Sequence, residues 1–172
     1  MSDRPHTRER RRTTPVQWED RVVYCLILAG IYLLVGVLFF YGFKSKILDG
    51  GGAPPGIQKQ FEGTFFETIP GVDAAWKIIG ILEFAIFALT VASLAMREFR
   101  FDRTKPLLLT ALGLSIFTFS LLAVGQNVTG QTTGVAELYL YAGATGVLMV
   151  LIRQLPPYRP ANWLSARVPK EH

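Results

Sequence analysis

Four apolar runs, residues 22–43, 76–96, 106–125 and 135–153, set the terms on which this chain can fold. Each has roughly 19–22 residues, the length a helix needs to cross about 30 Å of hydrocarbon. Inside a bilayer no water is at hand for backbone N–H and C=O groups, so each crossing segment must satisfy its own as a helix. The predicted fold is therefore all-α, a bundle of four transmembrane helices. A hydrophobic share of 50% and a mean hydropathy of +0.30 fit an integral membrane protein. Residues 1–21 then read as a basic arm, 22–153 as the membrane domain and 154–172 as a tail.

The net charge of +5 follows the membrane rather than a nucleic acid partner. Arg4, Arg8, Arg10, Arg11, Arg12 and Arg21 precede the first run. Arg97, Arg100, Arg103 and Lys105 fill the link between the second and third, and Arg153, Arg159, Arg167 and Lys170 follow the fourth. The 126–134 loop has no Lys or Arg, and the 44–75 loop balances Lys44, Lys46 and Lys59 against Asp49, Glu62, Glu67 and Asp73. This asymmetry places both termini in the cytoplasm and the 44–75 and 126–134 loops outside. The first run is too long for a signal-peptide core and no small-residue cleavage site follows it, so the arginine arm reads as uncleaved, an orientation signal that also attracts anionic lipid headgroups. A single cysteine, Cys25, excludes an internal disulfide, and both histidines, His6 and His172, lie in the polar tails, so the chain itself is expected to hold no metal or other cofactor.

In the outer loop, Ile57, Phe61, Phe65 and Ile69 recur every four residues, which predicts a short helix over 57–68 lying on the membrane surface or capping the bundle. Pro70 and Gly71 end it, and Asp73 is placed to cap the second span. Within that span stands Glu83, about 10 Å below the outer interface when counted from Trp76. A carboxyl group within a spanning helix costs about 2.5–3.5 kcal/mol on insertion scales and so faces protein or water. The polar candidates around it are Lys44 and Lys46 at the end of the first span, Gln126 at the end of the third, and Glu137 and Tyr141, which share a face of the fourth. Each also has a plain structural account. Glu83 can be packing glue across the bundle, Glu137 favours the first turn of a helix, and the two lysines can snorkel to water. Because a lysine at a helix end gains by reaching water, the expected partner of Glu83 is a hydroxyl or amide; Ser115, Thr118 and Ser120 are candidate donors unless they bond their own helix. Gly80, Gly143 and Gly146 are the expected points of close helix approach. "NVT" at Asn127 matches a glycosylation acceptor.

"GVLFFYGFKSKI" closing the first span, "FEGTFFETIPGVDAAW" in the loop and "IIGILEFAIFALTVAS" in the second span resemble the DoxX family of small four-helix membrane proteins, over about residues 22–153. The family's glycine followed three residues later by an intramembrane glutamate maps onto Gly80 and Glu83. Its glycine followed by a lysine at the end of the first span maps onto Gly42 and either Lys44 or Lys46, since the usual three-residue spacing lands on Ser45. The resemblance implies a four-helix bundle in a bacterial cell membrane, linked to respiratory or redox chemistry as an accessory subunit. Its partners would be a membrane protein or further copies of itself, and a quinone is the cofactor it could contact. A small proton-linked transporter using Glu83 is the other function class in view.

Overall fold

The computed structural model describes residues 18–49 and 52–158; Arg4, Arg8, Arg10, Arg11 and Arg12 of the arm, Arg159, Arg167, Lys170 and Trp163 lie outside them. Helix α1 (Trp18–Phe43) continues without a break into a wider π turn, Lys44–Leu48, and α2 (Pro55–Gln60) is followed by a single 3-10 turn, Phe65–Glu67. The other long helices are α3 (Val72–Ala95), α4 (Pro106–Val128) and α5 (Thr132–Gln154). The fold is an all-α bundle whose four long helices are each long and apolar enough to span a membrane, as the sequence predicts. One end of the bundle carries the 49–71 and 129–131 connections and is called the loop end; the other, carrying residues 96–105 and 155–158, is the termini end.

Helix α3 packs on both α1 and α4, and α4 packs on α5. Leu28, Ile31, Val35 and Phe39 of α1 meet Ile86 of α3, Leu108, Leu112 and Phe119 of α4, and Ile152 of α5 in one buried core. The outward faces carry exposed Leu26, Leu33, Leu34, Leu140 and Val147, which suits helices whose solvent is lipid. Tyr32 Oη and Ser93 Oγ are 2.7 Å apart and fix the antiparallel register of α1 against α3. Thr90, Ser115, Thr118, Ser120 and Thr145 all donate to the carbonyl four residues back in their own helix, so these hydroxyls are spent locally.

Two local expectations are corrected. The 57–68 segment is not one helix: α2 stops at Gln60 and Gly63 takes φ +75°, a left-handed conformation that breaks the run. Ile57 and Phe61 therefore face inward, while Phe65 and Ile69 are exposed. Asp73 does not cap α3, which begins after Gly71 at φ +90° without a side-chain cap. Its carboxylate instead accepts from the Ala53 N–H at 2.6 Å and from Gln58 Nε2 at 3.4 Å, tying the loop to α3.

The termini end is closed by two buried charges. Glu98, 4% exposed, accepts from Ser93 Oγ at 2.7 Å and from the backbone N–H groups of Leu107 and Leu108 at 3.1 Å each. Lys105 is fully buried. Its Nζ donates to the Arg103 and Pro156 carbonyls at 2.9 and 3.0 Å and lies 5.3 Å from the centre of the Tyr24 ring. Burial lowers its pKa to about 8.

Candidate functional site

Lys46 and Glu83 come together near the middle of α3. Lys46 Nζ donates to Glu83 Oε1 at 3.0 Å; Oε2 is 2.9 Å from the same nitrogen yet makes no hydrogen bond. The side chains are only 11% and 8% exposed. This overturns the expectation of a hydroxyl or amide partner, and the reason is directional. A helical side chain leans toward the N-terminus of its own helix. Lys46, on a helix running toward the loop end, leans back into the bundle; Glu83, on a helix running the other way, leans up toward it. Snorkelling would require the lysine to reverse that lean. Counted from Val72, where α3 starts, Glu83 stands about 16 Å along the helix.

Glycines make the approach close enough. A Cβ on Gly80 would lie 2.9 Å from Lys46 Cβ and 3.0 Å from Ile47 Cγ1, and a Cβ on Gly42 would lie 2.8 Å from the Glu83 carboxyl group. Lys46 is four residues beyond Gly42 and shares its helix face, and its Nζ also lies 3.4 Å from the Gly42 carbonyl. Ser45 turns its hydroxyl back to that carbonyl at 2.9 Å and stays exposed. Lys44 pairs with Asp49 at 3.4 Å on the surface and takes no part. Gly80→Ala should cost about 1–3 kcal/mol, because the atom it meets is a lysine Cβ anchored to backbone and not a flexible tip. Thermal unfolding in detergent measures it, and a variant as stable as the parent would show that α1 can yield at this point.

Aromatic residues neighbour the pair along both helices. Phe43 packs against Phe40, Phe84 and Phe87 with ring centres 5.3–5.5 Å apart, and Lys46 Nζ sits 4.8 Å from the centre of the Trp76 ring. Trp76, Gly80 and Glu83 recur at four and three residues and so form one stripe of α3.

Trp76 also borders an apolar cleft of about 240 Å³ between α2, α3 and the last turns of α4, with Phe61, Phe66, Leu121, Gly125 and Gln126 in its wall. Gln126 thus belongs to a neighbouring space and does not reach Glu83. Its carboxamide lies against Gly134, where a Cβ would sit 2.8 Å from Oε1. Glu137 and Tyr141 are exposed on α5, with Tyr141 stacked near Phe119 at 5.8 Å, and join neither the pair nor the cleft. Gly143 and Gly146 have open space where a Cβ would point; among the described residues no helix packs against them there, because α5 packs on α4 through its other face. Among the described residues no group of three His, Cys, Asp or Glu side chains is placed to hold a metal ion.

Sequence reasoning passed over Trp76 as an interfacial residue, and over Glu98 and Lys105 as parts of a charged link. A signal for Glu98 exists: α4 opens at Lys105–Pro106 without Ser, Thr, Asp or Asn in the capping position, so its first N–H groups need an acceptor from elsewhere. No family model matches the chain, and no curated protein or solved structure matches it either.

Proposed function

We propose that this chain is a DoxX-like accessory subunit of a membrane redox assembly in a bacterial cell membrane, and that its loop end contacts a quinone. One observation supports the reading above others: Gly42, Lys46, Gly80 and Glu83, the residues through which the sequence resembles that family, meet at a single point although the two pairs lie in different helices. A locked ion pair holds the loop ends of α1 and α3 in one shape, which suits presenting a fixed surface to a partner. Purification in mild detergent tests it. A cofactor-bearing oxidoreductase should accompany the parent chain and be lost from a Lys46→Met/Glu83→Leu variant that still folds; a species that is strictly monomeric or self-associated removes the reading.

The proposed orientation has both termini in the cytoplasm. With Cys25 replaced, cysteines at Gly56 and Thr132 should label from outside intact cells, and one at Arg100 should not. The reverse pattern inverts the site in the membrane.

The position of Glu83 near the middle of a spanning helix favours a second reading, a proton-linked transporter. Flux into reconstituted vesicles that is lost in Glu83→Gln supports it. Absent flux, or flux equal in the two proteins, removes it.

A further inference from the structure

Two opposite charges sit on the outward faces of different helices at one depth. Lys77 is five residues into α3 and Glu137 five residues into α5, about 7.5 Å along each axis. Both are exposed. The ion pairs among the described residues are Lys44–Asp49, Lys46–Glu83 and Arg100–Asp102, which leaves Lys77 and Glu137 without one. Asp73, one turn before Lys77, spends its carboxylate on the Ala53 N–H. A charge on the lipid side of a spanning helix is costly unless it meets water or an opposite charge.

The residues that follow the two charges are matched in size. On α3 the exposed seam runs from Lys77 through Ile81 and Phe84 to Ala88, and on α5 from Glu137 through Leu140 and Ala144 to Val147. Steps of three and four residues keep each seam on one helix face. Both helices run from the loop end to the termini end, so in two copies inserted the same way they can lie parallel and in register. Phe84 then comes level with Ala144, beside Gly143, where the space for a Cβ is open. Ala88 comes within one residue of Val147. Phe84 and Val147 are 50% and 68% exposed, so at each level a large group meets a small one, as close helix packing in lipid requires.

We infer that the outward face of α3 in one copy of this chain docks on the outward face of α5 in a second copy, with Lys77 paired to Glu137 near the loop end. The charges select this contact over its alternatives. Two copies joined α5 to α5 about a two-fold axis normal to the membrane would set Glu137 against Glu137, and copies joined α3 to α3 would set Lys77 against Lys77. Both arrangements bring like charges together at one depth. An anionic lipid surface would suit Lys77 but repel Glu137. The head-to-tail contact satisfies both residues, and because it leaves one α3 face and one α5 face free at its ends, it is completed when the series closes into a ring. The inference does not rest on the redox-assembly reading. Helix α1 keeps its own exposed Leu26, Leu33 and Leu34, so copies joined in this way leave a face for the partner proposed above.

Disulfide cross-linking of the full chain in membranes tests the contact. With Cys25 replaced, one tagged chain carries Ala88→Cys and a second, differently tagged chain carries Val147→Cys; both positions are exposed. Oxidation with copper phenanthroline should join the two tags, while pairs of the same variant stay rare. Lys77→Glu or Glu137→Lys, placed in both chains, should each lower the mixed yield about fivefold, since an ion pair becomes a repulsion. Lys77→Glu/Glu137→Lys in both chains should restore it, which also shows that the single reversals acted through charge and not through misfolding. An absence of disulfides in every combination leaves these faces to lipid or to a different protein and overturns the interface. Same-variant pairs as abundant as mixed ones overturn the head-to-tail arrangement. A mixed yield untouched by the single reversals, or not restored by the double one, overturns the pairing of Lys77 with Glu137. Co-purification of an oxidoreductase is read separately, so this inference and the redox-assembly reading fail independently.

Discussion

Replacing Lys46 by Met should lower folding stability by about 3–5 kcal/mol, because it strands the Glu83 carboxylate in a site that is almost closed to solvent. Glu83→Leu should cost a similar amount by stranding the ammonium group. The double variant Lys46→Met/Glu83→Leu should recover most of the loss, since two well-packed apolar side chains replace a buried ion pair at little net cost. Lys44→Met supplies the control. Its pairing with Asp49 is exposed, and such pairs contribute about 0–1 kcal/mol. Thermal or denaturant unfolding in detergent reads all four. If Lys46→Met proves no worse than Lys44→Met, the pair does not hold α1 against α3. Glu83→Gln separates support from chemistry: it keeps the side-chain size and can still accept a hydrogen bond from Lys46, so assembly retained with turnover lost points to a role beyond packing.

The second large effect lies at the opposite end. Glu98→Ala should destabilise the protein by about 3 kcal/mol or more. It removes the acceptor for two first-turn N–H groups of α4 and for Ser93, and hydrogen bonds to a charged group contribute about 1.5–3 kcal/mol each before the loss of the favourable charge at a helix N-terminus. Glu98→Gln should fall between, because its amide keeps one acceptor but turns a donor toward groups that are themselves donors. Amide exchange at Leu107 and Leu108 should quicken in Glu98→Ala ahead of the rest of α4. Exchange that stays slow there, with stability unchanged, would mean that Pro106 and the packing of Leu108 hold the helix start without the carboxylate.

The candidate site was half legible in advance. Glu83 identifies itself because a carboxyl group in an apolar run must find protein or water, and Gly80 because a missing side chain three residues away invites a close neighbour. Choosing Lys46 over Lys44 was beyond reach, since both sit at the same helix end and the balance between snorkelling and pairing turns on which face each occupies. Glu137, Tyr141, Gly143 and Gly146 look as suitable as Gln126 in one dimension. They separate only because α5 packs chiefly against α4 and turns those residues away from the bundle.

What the sequence determined by itself is the part governed by the solvent: four helices long enough to span, each obliged to pair its own backbone, with polar residues confined to a few positions. That demand acts on every residue locally and needs no knowledge of neighbours. The tertiary structure decided everything that depends on register and direction. The antiparallel setting of α1 against α3 aims Lys46 and Glu83 at each other, the break at Gly63 turns Phe61 inward and Phe65 outward, and the return of the chain after α3 lays Glu98 on the first turn of α4. These pairings are distant in sequence or hinge on a single turn, so their energies appear only once helices are packed side by side.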